Sequence, residues 1–406
     1  MGQFRFFSAG ESHGPGLTAH VEGLPAGLEI SEKTVRKDLA RRQKGYGRGK
    51  RQQIETDYAK ITSGVRHGIS MGGPISMFIE NRDFSTGKGP DGVLWTDEMS
   101  IEPTDVEFER ITNLRPGHAD TPGIVKYQQD DARNILERSS ARESAARVAA
   151  GSLARLFIGS FGIQVHSHVT RIGKAISSVD HNDIDWDKLE ESSLRCADPE
   201  IDLEMIKQID LARESGDSLG GVFEVVAYGV PIGLGSHTQW DKKLSSKLAA
   251  AVMSINAVKG VEFGAGFEQS SMRGSEVHDV IKPISEWETN TDGSWVKPWP
   301  RKSNNSGGLE GGMSTGEPLV IRAMVKPIAT IMNALETVDL KTGKKVAKAH
   351  YERSDITFVS TCAVIGESML SMVIADAILE KFGGDHITET KANMDNYLSN
   401  AGPRDS

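Results

Sequence analysis

Residues 131–157, DARNILERSSARESAARVAAGSLARLF, decide how this chain is expected to fold. Apolar and small side chains recur along the whole stretch, so few faces of a helix built from it would lack them. A helix that is apolar on nearly every face is usually buried between other layers rather than packed on a surface. The sequence therefore predicts one long helix over 131–157 inside the protein.

Shorter segments on both sides of this helix have the patterns of strands and of further helices. Strands are predicted at 4–8, 17–23, within 54–79, and at 165–172, 222–232 and 320–325, and helices at 32–42, 242–253 and 369–381. Because the strands come in pairs as often as they alternate with helices, the pattern favours an α/β protein with antiparallel rather than βαβ character. We expect one domain over 1–406, with a surface loop at 287–306 and a flexible tail at 400–406.

Composition excludes several classes of protein. The chain has 406 residues and a net charge of -9, which argues against a general role on nucleic acids or membrane surfaces but not against a locally basic pocket. Cys196 and Cys362 are far apart and in no metal-binding spacing, which is typical of a reducing compartment. No apolar run reaches the length of a membrane span, since Glu367 interrupts the most apolar stretch, and no signal-peptide pattern is present. We therefore expect a cytoplasmic protein.

The segment Gly10-Glu11-Ser12-His13-Gly14 places a carboxylate, a hydroxyl and an imidazole in consecutive positions between glycines. Glycine frees the backbone and lets a ligand approach closely, and histidine exchanges protons near neutral pH. A surface turn could carry the same residues, so the motif alone leaves both interpretations open.

Common cofactor and metal motifs are missing from the sequence. The Gly-Lys pairs lack the upstream glycine of a phosphate-binding loop, and Gly264-Ala265-Gly266 does not continue to a third glycine at dinucleotide-fold spacing. His166 and His168 share one face of a predicted strand, but neither a carboxylate nor a cysteine cluster supports them. No metal site is predicted.

A basic segment at 36–51 stands out in an acidic chain. It has three interpretations: a solvated helix face, a nucleic-acid-binding arm, or a cationic mouth for a small polyanion. Only Tyr46 is interleaved as an aromatic, which weakens the case for base stacking. We favour the anion mouth, in which Arg41, Arg42 and Arg48 converge on phosphate and carboxylate groups, because guanidinium binds both in a bidentate way.

Two further motifs add cationic and imidazole groups. The turn Arg115–Asp120 carries His118 at its tip, shortly before the long helix. On that helix Arg138 and Arg142 are four residues apart and so are predicted to share a face. Two guanidinium groups are costly to bury without partners, so either neighbouring carboxylates or a ligand must satisfy them.

The C-terminal half contains glycine-rich and charged motifs. The tract 304–316 holds five glycines, and its free N–H groups could form an anion-binding nest. The segment 326–330 then offers the cation of Lys326 and a hydroxyl. Arg353 and Asp355 are usually read as a structural ion pair, although such a pair can also keep a carboxylate base ionised.

Together these motifs resemble the chorismate synthase family. The resemblance runs nearly end to end and includes 10–14 with the turn Gly23-Leu24-Pro25-Ala26-Gly27, the helical Glu137–Ser144 motif, and Arg353-Ser354-Asp355. It implies a lyase of the shikimate pathway that makes chorismate and phosphate from 5-enolpyruvylshikimate 3-phosphate by 1,4-anti-elimination. It also implies reduced FMN as cofactor with no net redox change, a helical layer between antiparallel sheets, and a homotetramer.

The resemblance assigns roles to individual residues. Arg42, Arg48 and Ser12 would bind the substrate, and His13 would protonate the departing phosphate. His118 would lie by the N1–C2 edge of the flavin, and Asp355 would lie near N5 and help that atom accept the ring proton.

The remaining family positions would bind FMN: Arg138, Ser139, Ser140, Asn256, Ala257, Gly311, Lys326, Pro327, Ile328, Ala329, Thr330 and Arg353. Many relatives have hydroxyl residues at the positions of Ile328 and Ala329, so fewer side-chain bonds to the ribityl phosphate are expected here. Arg42 and Arg48 are sometimes described as an NADPH site in this family. We favour a substrate clamp, because nothing nearby resembles an adenine pocket, and we expect an external flavin reductant.

Overall fold

The structure is a computed structural model that describes residues 4–48, 56–89, 91–291, 295–352 and 355–403. Its helices are α1 (Glu32–Gln43), α2 (Trp95–Glu98), α3 (Asp120–Tyr127), α4 (Arg133–Ser139), α5 (Ser144–Gly159), α6 (Trp186–Leu189), α7 (Pro199–Glu214), α8 (Leu244–Met253), α9 (Gly274–Val277), α10 (Val359–Phe382) and α11 (Ile387–Ser399). Short 3₁₀ turns lie at Ala141–Glu143, His181–Asp183, Trp240–Lys242, Gly266–Ser271 and Ile284–Glu286.

The strands are β1 (Arg5–Ala9), β2 (Gly16–Glu22), β3 (Ala59–Ser63), β4 (Val65–Arg66), β5 (Ile69–Ser70), β6 (Ile75–Glu80), β7 (Gln164–Ile172), β8 (Ala175–Ile176), β9 (Gly221–Tyr228), β10 (Val258–Phe263), β11 (Leu309–Glu310), β12 (Met313–Ser314), β13 (Leu319–Val325), β14 (Thr337–Val338) and β15 (Lys345–Val346). A four-stranded sheet has the order β1-β2-β6-β3, and a five-stranded sheet has the order β10-β13-β9-β7-β8. All of their strand pairs are antiparallel, as predicted.

The helical layer lies between these two sheets. Helix α5 packs on β2 of the four-stranded sheet, α10 packs on β7 and β9 of the five-stranded sheet, and the two helices pack on each other. Alternation in β2 explains the orientation of its sheet, because Leu17, Ala19 and Val21 are buried whereas His20 and Glu22 are exposed. The architecture implied by the family resemblance is therefore confirmed.

A glycine allows α5 and α10 to approach closely. A Cβ placed on Gly151 would lie 2.3 Å from the Cβ of Ser368 on α10, which is closer than two carbon atoms can pack. This contact fixes the spacing inside the helical layer.

The prediction of a single helix over 131–157 is wrong, because Ser140 interrupts it. Ser140 has an extended backbone (φ -62°, ψ 145°), and its hydroxyl accepts a hydrogen bond from the backbone N–H of Arg142. A hydroxyl that binds the backbone two residues on competes with the helical pattern and starts a new turn. The stretch therefore forms α4, a 3₁₀ turn and α5.

Helix α10 begins at Val359, ten residues before the predicted start at Met369. Among the described residues it is the one helix long and apolar enough to cross a membrane, which corrects the expectation that no run reaches that length. However, 89% of its most apolar window is buried inside the protein, where it forms the core. Glu367 does not interrupt it, because three arginines pair with that carboxylate.

Two long helices were not predicted. Helix α7 carries clear start signals, because Asp198 caps it and Pro199 occupies its first turn. Helix α11 is capped by His386, whose ring accepts from the N–H of Thr388. The other predicted strands and helices are present, with ends that shift by a few residues.

Candidate active site

A cavity of about 600 Å³ opens where the helical layer meets several loops. Its walls come from segments that are distant in sequence, at 42–48, 115–119, 136–147, 256–257, 326–330, 352 and 355–358. Among the described residues its lining includes seven cationic side chains, those of Arg42, Arg48, Arg115, Arg138, Arg142, Arg147 and Lys326. The carboxylates of the lining are those of Glu143, Glu352 and Asp355. A cavity with this charge is suited to anions.

Most residues predicted for the site line this cavity: Arg42, Arg48, His118, Arg138, Ser139, Ser140, Asn256, Ala257, Lys326, Pro327, Ile328, Ala329, Thr330 and Asp355. Ser12 and His13 are not among the residues that line it, but they bond Ser140 and Glu137 of the 136–147 segment. Gly311 lies elsewhere, in the β11–β12 turn. Arg353 lies outside the described residues.

The basic segment divides between structure and cavity. The guanidinium group of Arg41 is buried and bonds Glu367 at 2.6 and 2.8 Å, so Arg41 does not join the cavity as predicted. Arg42 is also buried but lines the cavity, and its Nε has no hydrogen-bond partner among the described residues. Arg36 and Lys37 are exposed, so the solvated-face interpretation applies only to the outer side of α1.

Asp57 holds two of the cavity arginines. Its two carboxylate oxygens accept from Arg42 Nη2 and Arg142 Nη1, each at 2.5 Å. Burial opposes ionisation of this group, but the two guanidinium groups outweigh it and lower the pKa of Asp57. Asp57 therefore stays charged and fixes the position of Arg42.

Arg138 and Arg142 do not share a helix face as predicted, because the helix is interrupted at Ser140 between them. Arg142 is buried against Asp57 and also donates to Asn81 Oδ1 at 2.8 Å. Arg138 is exposed and donates to the carbonyl oxygen of Ser8 at 2.8 Å. Of the two arginines only Arg142 is buried, and protein groups satisfy its guanidinium group.

Asp355 pairs with Arg48, whose Nε lies 3.3 Å from Asp355 Oδ2. Arg48 also donates to the hydroxyl of Thr361. Burial lowers the pKa of Arg48, although the charge of Asp355 counteracts this effect. A carboxylate and a guanidinium group therefore face the cavity together.

His118 is oriented by a buried carboxylate. Its Nδ1 lies 2.5 Å from Asp120 Oδ1, and the carboxylate also accepts from Arg115 Nε and Nη2. An ionised carboxylate can only accept, so Nδ1 carries the proton. Burial works against ionisation, but hydrogen bonds from His118 and Arg115 hold the pKa of Asp120 well below its ordinary value.

Arg115 joins this turn to the 326–330 segment. It donates to the hydroxyl of Thr330 at 3.2 Å, and Lys326 donates to the carbonyl oxygen of Gly117. Burial, together with the charge of Lys259, lowers the pKa of Lys326. An anion bound here would relieve that unfavourable environment.

Asn256 and Ala257 close another side of the cavity. Asn256 Nδ2 donates to the carbonyl oxygen of Ser139 at 3.0 Å, and the N–H of Lys326 donates to that of Ala257 at 2.9 Å. Ala257 has a left-handed backbone (φ 69°), which is unusual for a residue with a Cβ. Strain of this kind concentrates at functional sites.

The His13 turn packs against Glu137 and Ser140, in the segment at 136–147 that lines the cavity. A Cβ on Gly10, whose φ is 110°, would lie 2.2 Å from the carbonyl oxygen of Gly16, so the turn requires glycine there. Asn81 donates to three carbonyl oxygens of the turn, those of Glu11, Ser12 and Gly14. Ser140, on the cavity wall, donates to the hydroxyl of Ser12 at 3.1 Å.

Glu137 binds His13 twice. Its Oε1 lies 2.7 Å from His13 Nδ1, and its Oε2 accepts from the backbone N–H of His13 at 2.7 Å. The imidazole ring stacks on Trp95 with its centroid 4.0 Å away. His13 is therefore fixed in both position and ring orientation.

The glycine tract at 304–316 does not present a free nest at its start. Asp279 accepts from the backbone N–H groups of Asn305 and Ser306 at 2.7 and 2.9 Å, so the anion bound there is the protein's own carboxylate. Gly311 remains a prediction.

Sequence reasoning missed the carboxylates that hold the site together. Asp120 follows His118 by two residues and Glu137 belongs to the quoted helical motif, so pairing each histidine with a nearby acid could have found the first of them. Asp57 carried no such signal, because it contacts Arg142 across 85 positions of the chain.

Comparisons with known proteins agree with one another. The sequence model of the chorismate synthase family matches residues 4–379. The chain is 47% identical over 399 residues to chorismate synthase of Geobacter sulfurreducens, covering 97% of this chain and 98% of that one. It is 48% identical over 400 residues to the enzyme of Syntrophotalea carbinolica, covering 98% of each chain. A crystal structure of chorismate synthase superimposes with a TM-score of 0.75, at 39% identity and 98% coverage of both chains.

Proposed function

The chain belongs to the chorismate synthase family, and from that membership we propose that its cavity binds reduced FMN beside 5-enolpyruvylshikimate 3-phosphate. The protein is a lyase of the shikimate pathway that eliminates phosphate from this substrate to form chorismate. One observation supports the proposal for the site above others. A single cavity is lined by His118, Asp355, Arg48, the end of α4 and the 326–330 segment.

The residues of the cavity fit a flavin mononucleotide and a second anion. The volume of about 600 Å³ lies within the range of cofactor sites, which is roughly 300–1,000 Å³. The cavity is lined by positive charge from Lys326, Arg138 and Arg147 as well as from Arg42 and Arg48. Bound reduced FMN would supply electron donation, which amino-acid side chains do not provide.

Expulsion of phosphate requires neutralisation of charge and a proton for the leaving group. We assign the first task to Arg42 and Arg48, whose guanidinium groups line the cavity, with Ser12 as a further substrate contact. We assign the second task to His13, whose ring Glu137 holds in place through a bond to Nδ1.

Removal of the ring hydrogen requires a group that directs the proton. We assign this task to Asp355, whose Oδ2 lies 3.3 Å from Arg48 Nε at the cavity. His118 would hydrogen-bond the N1–C2 edge of the flavin, with Asp120 fixing its ring. Ser139, Ser140, Asn256, Ala257, Gly311, Arg353 and the 326–330 segment would complete the FMN site.

Further parts of the proposal concern the protein in the cell. We propose a homotetramer of single-domain chains in the cytoplasm, supplied with reduced flavin by an external reductant. From the basic segment, Arg42 and Arg48 are assigned to the substrate rather than to nucleic acid or NADPH, because these two residues line the cavity whereas Arg41 is buried against Glu367.

The test combines the protein anaerobically with reduced FMN and the enolpyruvyl phosphate substrate and follows chorismate by its absorbance. Turnover of His13→Ala, His118→Ala and Asp355→Asn should fall by about 10²–10⁴-fold, the usual contribution of general acid–base groups. His20→Ala, an exposed histidine on β2, is the matched control and should retain the parent rate. A near-native rate in one of the three variants removes the role assigned to that residue, and loss of the flavin requirement removes the proposal for the cofactor.

A further inference from the structure

We propose that Glu137 is a positioning residue for His13, which it holds in the Nδ1–H tautomer so that proton exchange with the substrate phosphate takes place through Nε2. The inference rests on the role of His13 under the proposed function. It adds a residue that acts through another one and has no direct contact with the reacting atoms.

The geometry supports a role in orientation. One carboxylate binds the ring and the backbone of the same residue, at 2.7 Å each, so the imidazole cannot rotate without breaking one of the two bonds. The backbone carbonyl of Glu137 accepts from the N–H of Ser12 at 3.1 Å, which ties the turn to α4 a third time. Trp95 limits the remaining tilt of the ring by stacking at an interplanar angle of 23°.

The charges around the pair favour an ionised Glu137. Burial opposes the charged form, but hydrogen bonds from His13 and the charge of Arg133 outweigh it and lower the pKa of Glu137. The charge of Arg133 is not devoted to Glu137, because Arg133 also forms ion pairs with Glu98 at 2.9 Å and with Glu352 at 2.6 Å. His350 Nε2 lies 3.4 Å from Glu352 Oε1. Three carboxylates therefore share Arg133, and the Glu137 carboxylate also binds the His13 ring.

An ionised carboxylate at Nδ1 can only accept a hydrogen bond, so it selects the tautomer of the imidazole that carries its proton on Nδ1. An amide at the same position would still accept from the backbone N–H of His13. However, it would carry no charge, and it could turn its own N–H₂ toward Nδ1 and so favour the other tautomer.

The main experiment compares Glu137→Gln with Glu137→Asp. We expect kcat of Glu137→Gln to fall by about 10²–10³-fold with little change in KM. Glu137→Asp should recover at least part of the loss in kcat. Glu98→Gln is the control, because it removes a carboxylate from Arg133 without touching His13. Its kcat and KM should match those of the parent.

Two further measurements separate positioning from support of the fold. Because Glu137 is proposed to act through His13, adding Glu137→Gln to His13→Ala should cost little further activity. In the unmutated protein labelled with ¹⁵N-histidine, the His13 resonance, assigned by its loss in His13→Ala, should show the Nδ1–H tautomer. This measurement holds even if Glu137→Gln fails to fold.

The outcomes distinguish this inference from the proposed function. A near-native rate in His13→Ala would overturn the role of His13 itself. An inactive His13→Ala beside an active Glu137→Gln would overturn the positioning role alone. An Nε2–H tautomer, an effect of Glu137→Gln confined to KM, or additive losses in the double variant would also overturn it.

Discussion

Single residues set the chemistry of the cavity through partners that the sequence reveals unevenly. His118 and its carboxylate Asp120 are two positions apart, so local inspection could have paired them. His13 and Glu137 are separated by 124 positions, and their pairing depends on the packing of a turn against α4. The chemically active residues could therefore be predicted from the sequence, whereas the groups that orient them mostly could not.

Asp120 makes the first prediction at this scale. Its carboxylate is fully buried and accepts from the backbone N–H and the side chain of Arg115 as well as from His118. Asp120→Asn leaves a buried guanidinium group without its counter-charge, and breaking a buried pair in this way costs about 3–5 kcal/mol. We expect a loss of that size in the free energy of unfolding, measured by chemical denaturation.

The matched control is Asp180→Asn, because the Asp180 side chain is largely exposed and its contact with His181 is 3.8 Å long. Exposed pairs contribute about 0–1 kcal/mol. If the two variants lose similar stability, the buried pairing of Asp120 does not have the importance given to it.

Secondary-structure elements could be predicted where the local sequence alone determines the helix or the strand. Strand β2 and helix α1 follow from alternation and from the Ser31 cap, whose hydroxyl accepts from the N–H of Lys33. The split at Ser140 could not be predicted from apolar content, because both halves have helical composition and a single hydroxyl bond separates them. The early start of α10 was hidden by Glu367, whose charge is neutralised by arginines on other elements.

The contact between α5 and α10 gives a prediction at the scale of elements. Gly151→Ala places a methyl group 2.3 Å from the Cβ of Ser368, so the two helices must separate. Overpacking of this kind costs about 1–3 kcal/mol. Gly159→Ala, at the end of the same helix, has nothing within 4 Å of the new methyl group and should be neutral or stabilising by up to about 1 kcal/mol.

Thermal denaturation of the two alanine variants, measured side by side, tests this contact. A drop in the melting temperature for Gly151→Ala and none for Gly159→Ala is the expected pattern. Equal effects would mean that the helical layer adapts to the methyl group and that the spacing is not fixed at Gly151.

At the scale of the whole molecule, the antiparallel character of the sheets could be predicted from strand pairing, whereas the order of layers came from the family resemblance. Neither source predicts how the buried charges connect the layers. Glu367 on α10 bonds Arg41 on α1, Ser167 on β7 and, through ion pairs, Arg155 and Arg195. The network thus joins both helices of the core to the five-stranded sheet.

This network makes folding sensitive to acid. Burial opposes ionisation of Glu190, but its bonds with Arg41 and Arg195 lower its pKa from 4.5 to about 2, and Glu367 is shifted in the same direction by Arg41, Arg155 and Arg195. A carboxyl group whose pKa is lower in the folded state stabilises the fold at pH values above its pKa in the unfolded chain. That contribution is lost as the pH falls through its pKa in the folded state. We therefore expect the free energy of unfolding to be nearly constant from neutral pH down to about 5 and to decline from pH 4.5 toward pH 2.

Denaturant midpoints measured across this pH range test the expected decline, with two variants measured beside the parent protein. Glu190→Gln should have a lower plateau and a shallower decline, because the group that binds the proton is gone. Glu22→Gln should follow the parent curve, since its pair with Arg5 is exposed and 3.6 Å long. A decline equally steep in Glu190→Gln would show that the acid sensitivity arises from carboxylates outside the network around Arg41.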